Sequence, residues 1–93
     1  MSIRRIRRAV REGRYEFTGH CFEEMDEDDL TVDDVLDVLL RGELVSTVAS
    51  DPRGTRYVLR GFGESLSLVV EVVCRFLPSR TLRIITVYAV RES

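Results

Sequence analysis

The chain has 93 residues, 44% hydrophobic and 32% charged, with a formal net charge of −2. That suits one globular domain, too short to bury a second core and too apolar for disorder. The longest apolar runs are three or four residues, against roughly 18 or more for a bilayer span, and Met1-Ser2-Ile3-Arg4-Arg5 opens no secretory signal, so the expected location is cytoplasmic. The chain contains no Lys, Asn, Gln or Trp, and all 14 basic residues are Arg. Lysine nucleophiles, lysine-bearing phosphate loops and Asn/Gln base reading are therefore excluded. Arginine, suited to planar bidentate phosphate contacts, carries all the side-chain positive charge.

The first element predicted is a short basic amphipathic helix. Ile3, Ile6 and Val10 recur at i, i+3 and i+7 among Arg4, Arg5, Arg7, Arg8 and Arg11, with Ser2 as N-cap and Gly13 as stop. Its arginines suit nucleic-acid phosphates or a protein partner better than a membrane, because the apolar stripe is small. Residues 15–17 read as extended. Gly19-His20 opens a second helix with Phe22 and Met25 expected inward. A third helix starts at Thr31, whose T-x-x-D spacing to Asp34 is a capping signal. Val32, Val35, Leu36, Leu39 and Leu40 form its apolar stripe, and Gly42 ends it.

After Gly42 the apolar period changes from helical to two. Residues 44–48, 55–61, 65–74 and 81–90 read as strands, with Asp51-Pro52-Arg53-Gly54 as a turn. Helices first and strands afterwards predict an α+β domain. Two or three helices should pack on one face of a mostly antiparallel four-stranded sheet. Alternation puts Tyr57, Leu59, Val70, Val72 and Cys74 on the core face. On the last strand it places Arg83, Ile85, Val87 and Ala89 inward, against Ile84, Thr86 and Tyr88 outward. The open face then gathers Arg56, Arg60, Ser67, Glu71, Thr86 and Tyr88.

That open face holds guanidinium groups, a carboxylate, a phenol and hydroxyls. Arginines stabilise charge developing on a phosphorane, a carboxylate or imidazole moves protons, and a phenol donates. Arg56 and Arg60 share a face, where their guanidinium groups are expected to bracket one phosphate. The competing reading is a plain cross-strand ion pair of Arg56 or Arg60 with Glu71. His20, the one histidine, has an intrinsic pKa suited to acid–base work; a helix-entry structural role is its alternative. The acidic run from Glu23 to Asp37 fits no calcium-loop frame, and no metal or other cofactor is expected. Cys21 and Cys74 form no CxxC pair and are expected to be reduced and buried.

The order of these motifs resembles a family of short prokaryotic proteins of unknown function, domain of unknown function 4258. The residues that carry the likeness are His20, Met25, the Thr31-capped helix, Gly42-Glu43, Arg56-Tyr57-Val58 and Ile85-Thr86-Val87-Tyr88. Glu24 and Asp28 stand where that family usually has arginine, and residues 65–67 lack its strand histidine. The family is similar to MqsR- and RelE-like toxins of the barnase/RelE type. The resemblance implies a toxin-type ribonuclease that cuts RNA without metal by 2′-hydroxyl attack, restrained by an antitoxin from a neighbouring gene. It points to His20, Arg56, Arg60, Glu71 and Tyr88 as catalytic residues. The alternative is an inactive RNA-binding or protein-interaction module on the same fold.

Overall fold

The computed structural model describes residues 2–63 and 68–90. Helix α1 spans Ser2–Arg11, strand β1 Tyr15–Phe17, α2 Gly19–Glu27 and α3 Val32–Arg41. Strands β2 (Glu43–Val48), β3 (Arg56–Phe62), β4 (Val69–Phe76) and β5 (Leu82–Val90) follow. The α+β order is as expected, but the sheet is five-stranded and mixed, ordered β1-β5-β4-β3-β2. The extra strand is the extended segment 15–17, which pairs parallel with the start of β5 while all other pairs are antiparallel. Its carbonyls and amides satisfy only that first part of the β5 edge. The expected strand over 65–74 lies partly outside the described residues, and Ser67 with it.

Local chemistry accounts for the helices. Gly13 at φ +73° lies just beyond the end of α1, the left-handed conformation that glycine adopts at low cost. Ser2 is the first helical residue rather than a cap. Thr18 caps α2 by accepting from the Cys21 amide. In α3 the Thr31 hydroxyl accepts from the Asp34 amide and the Asp34 carboxylate accepts from the Thr31 amide. This reciprocal capping box joins two otherwise unpaired donors. It holds Asp34 fully buried without leaving its charge unsupported.

The three helices contribute Ile6, Ala9, Val10, Cys21, Met25, Val35, Val38 and Leu39 to one core with Tyr57, Leu59, Val70, Val72, Cys74, Leu82, Ile84 and Val87. Phe22 does not face inward as expected: it is 50% exposed and stacks on Phe17, with centroids 5.2 Å apart. Cys21 and Met25, one turn apart, take the core side of α2, so position 22 points about 100° away. Val32, at the exposed start of α3, is likewise replaced in the core by Val38. A Cβ on Gly42 would come within 2.5 Å of the Val38 carbonyl oxygen and 2.6 Å of the Arg60 carbonyl oxygen. Glycine at that point lets the end of α3 meet β3 backbone to backbone.

A β-bulge in β5 reverses part of the predicted alternation. Val73 pairs with Thr86 but Cys74 pairs with Ile84, leaving Ile85 extra. Leu82 and Ile84 therefore enter the core before the bulge and Val87 after it. Arg83, expected on the core face, instead lies on the open face, where its Nε donates to Glu16 at 3.1 Å. A strict two-residue period cannot anticipate this change of phase.

Candidate functional site

The register sets the open face in three cross-strand rows. At the end holding the β2–β3 and β4–β5 turns, Val48, Arg56, Arg75 and Arg83 lie opposite one another. The middle row is Ser46, Val58, Val73 and Thr86. The third is Glu43, Arg60, Glu71 and Tyr88. Apolar Val58 and Val73 thus form a floor between two polar rows.

The third row is tightly bonded. Arg60 donates through Nε (2.8 Å) and Nη2 (2.5 Å) to Oε2 of Glu71, and the Tyr88 hydroxyl donates to Oε1 at 2.5 Å. Glu71 is 8% exposed, and both oxygens are engaged. The Tyr88 hydrogen bond, helped by Arg60, holds its carboxyl below the ordinary glutamate value despite burial. The same bond raises the Tyr88 phenol above its usual value, and burial and the nearby charge of Glu24 add to this. Glu71 is thus a fixed anion that orients Arg60 and Tyr88. Tyr88 itself is 38% exposed, so its ring remains accessible.

His20 approaches from the sheet edge. Past β1 the β5 edge is covered by α2 rather than by a strand. The Thr18 hydroxyl donates to the Ile85 carbonyl, and the Ala89 amide donates to Asp28. Between them the Thr86 hydroxyl donates to Oε1 of Glu24. That oxygen is 2.9 Å from Nε2 of His20. The i, i+4 spacing stacks imidazole over carboxylate on one helix face, and the His20 side chain is 65% exposed. A carboxylate that fixes one ring nitrogen leaves the other free for proton transfer.

Between the rows lies a groove of about 360 Å³ lined by Val48, Val58, Val73 and Ile85, by the hydroxyls of Ser46, Thr86 and Tyr88, and by Arg53, Arg56 and Arg75. Arg56 sits at the first position of β3 and Arg60 four residues on, about 13 Å along a strand. The structure does not bring the two together: Arg60 is directed to Glu71, and Arg56 lies 4.0 Å from Asp51. The Asp51 carboxyl is held low chiefly by the backbone N–H of Arg53.

Five residues were expected in the site. Arg60, Glu71 and Tyr88 form one bonded row; Arg56 lines the groove; His20 is linked to them through Glu24 and Thr86. Sequence reasoning missed Glu24, whose signal was its i+4 spacing from His20. It also missed Arg75, which shares the parity of Glu71 one residue beyond the expected strand end, and Arg53, which the sequence places only in a turn. Among the described residues no three His, Cys, Asp or Glu side chains converge as a metal site. Cys21 and Cys74 are buried free thiols, and burial is the main cause raising them to about 11 and about 12. On the helical side, Arg5 lies 4.6 Å over the Phe76 ring and Arg7 donates to the Gly42 carbonyl, whereas Arg4, Arg8 and Arg11 are exposed. No described helix is long and apolar enough to cross a membrane.

These features define a small α+β protein with an arginine-rich groove on the uncovered face of a mixed sheet. Residues 17–89 match the family described as domain of unknown function DUF4258, and the chain belongs to it. No curated protein and no solved structure gives a significant match.

Proposed function

We propose that the chain is a metal-independent ribonuclease of the toxin type, acting on single-stranded RNA across the open sheet face. The observation that carries this reading is a carboxylate-oriented histidine beside a concave arginine-lined groove: His20 on Glu24, and Glu24 on the groove residue Thr86. The resemblance of its family to MqsR- and RelE-like toxins supports the reading, and with it an antitoxin partner and a cytoplasmic site of action.

In this reading His20 takes the proton from a ribose 2′-hydroxyl. The 2′-oxygen forms a bond to the adjacent phosphorus, and the P–O5′ bond breaks. The 5′-oxygen leaves with a proton from solvent, giving a 2′,3′-cyclic phosphate and a 5′-hydroxyl. Arginine hydrogen bonds offset the charge that grows on the non-bridging oxygens. Tyr88, its hydroxyl tied to Glu71, offers a ring for a base to stack on. Glu71 acts through the groups it positions, since neither of its oxygens is free to accept a substrate proton.

The test is cleavage of a labelled single-stranded RNA by the wild type, His20→Ala, Glu24→Gln and Arg56→Ala, with folding checked by melting. Loss of an acid–base group should slow cleavage by about 10²–10⁴-fold, and loss of Arg56 by about 30- to 1,000-fold. Full activity in folded His20→Ala overturns the assignment. The fully engaged carboxylate of Glu71 favours a second reading, a module that binds RNA without cutting it, and intact RNA retained by the wild type would establish that.

A further inference from the structure

Arg75 is 9% exposed as a residue on the central strand, its guanidinium opening to the groove rather than being sealed in the core, and among the described residues no carboxylate or other acceptor engages it. It lies directly opposite Arg56 on one neighbour and Arg83 on the other. Like charges directly opposite each other in a sheet are destabilising. Arg83 is relieved by Glu16, and among the described residues Arg56 has only the 4.0 Å approach to Asp51. Arg75 and Arg56 both face the groove, with Arg53 at its turn end. Three arginines thus line one groove, and Asp51, turned to the Arg53 amide, is the only acid within salt-bridge reach of any of them among the described residues.

We infer that Arg75 and Arg56 together form a phosphate-binding subsite for the backbone of single-stranded RNA, with Arg53 as an outer contact. The inference rests on the ribonuclease reading for the identity of its ligand. The groove supports a chain rather than an isolated ion. The apolar floor of Val58 and Val73 adjoins the arginine pair, and the exposed Tyr88 ring lines the far end of the same groove, a run of surface on which bases attached to the held backbone can lie. Phosphate would also neutralise the row. Arg75 is therefore retained at a cost to the unliganded fold.

The probe is a 2′-O-methyl RNA hexamer, which lacks the attacking hydroxyl and so reports binding apart from cleavage. Inorganic phosphate is the comparison. Affinity for the hexamer is measured against salt for the wild type, Arg75→Met, Arg56→Met and, as a control on α3, Arg41→Ala, whose guanidinium is paired with Asp37. Removing either groove arginine should weaken binding about 10- to 100-fold. It should also flatten the slope of log affinity against log salt by about 0.7, while Arg41→Ala changes neither. The unliganded Arg75→Met protein should melt above the wild type, because the like charge opposite Arg56 and Arg83 is gone. At about five times its Kd the hexamer should raise the wild-type Tm by about 4–8 °C and that of Arg75→Met by less. Inorganic phosphate should bind more weakly than the hexamer; equal occupancy would assign the subsite to a free ion instead. Unchanged hexamer affinity and salt slope in folded Arg75→Met overturn the inference, even if RNA is cleaved. Arginine-dependent binding with no cleavage of ordinary RNA would instead overturn the ribonuclease reading and leave the subsite standing.

Discussion

Replacing Tyr88 by Phe removes one hydrogen bond and leaves the ring. The bond runs from a phenol to an ionised carboxylate at 2.5 Å, a class worth about 1.5–3 kcal/mol. Two features place the loss at the lower end: Tyr88 is 38% exposed, and Glu71 keeps Arg60. A loss of about 1.5 kcal/mol lowers the Tm of a domain this size by about 6–12 °C. The pH dependence separates this bond from generic packing. The folded Glu71 carboxyl lies below its ordinary value of 4.5, so its contribution is present above that pH and fades as pH falls through the lower folded value. The folded Tyr88 phenol lies above its ordinary value of 10.0, so its contribution is complete below that pH and fades as pH rises through the higher folded value. The difference between wild type and Tyr88→Phe should therefore be flat between these limits and shrink on the acid side. Urea unfolding at stepped pH, followed by circular dichroism, measures it. A variant within about 0.3 kcal/mol of wild type at about pH 7, or an equal deficit at about pH 3, would refute this account of the row.

Gly42→Ala should destabilise the fold by more than about 1 kcal/mol, since its Cβ would strike two backbone carbonyls, whereas Gly19→Ala meets nothing within 4 Å and should be nearly silent in thermal melts. Thr31→Ala, which opens the α3 capping box, should cost about 1 kcal/mol in chemical denaturation. Cys21 and Cys74, with thiols at about 11 and about 12, should resist alkylation near neutral pH in the native protein and react at once in denaturant.

The helices and the two sheet faces are readable because their signals are local. The Thr31–Asp34 box, Gly13 and the alternation of Tyr57 and Leu59 against Arg56 and Arg60 each depend on near neighbours. The errors fall where a distant partner decides. Three residues at 15–17 become a strand only because β5 offers an edge beside them. The Ile85 bulge shifts the phase of β5 and turns Arg83 outward, and a bulge leaves little mark in a sequence. The site divides the same way. Shared strand parity is enough to group Arg60, Glu71 and Tyr88 and to offer a pair with Glu71, but it cannot reveal that Arg60 rather than Arg56 makes that pair, or that Arg75 meets no acid among the described residues. Glu24 joins His20 to the groove only because α2 lies along the β5 edge where a strand would otherwise pair.

The most direct measurement is the chemistry of the RNA ends produced in excess EDTA. Wild-type protein is incubated with a single-stranded RNA and the new termini are identified by mass spectrometry. Proton abstraction by His20 at the groove requires 2′,3′-cyclic phosphate and 5′-hydroxyl termini that form undiminished under chelation and vanish in His20→Ala. Uncut RNA, or cleavage that needs magnesium and leaves 5′-phosphates, would contradict it.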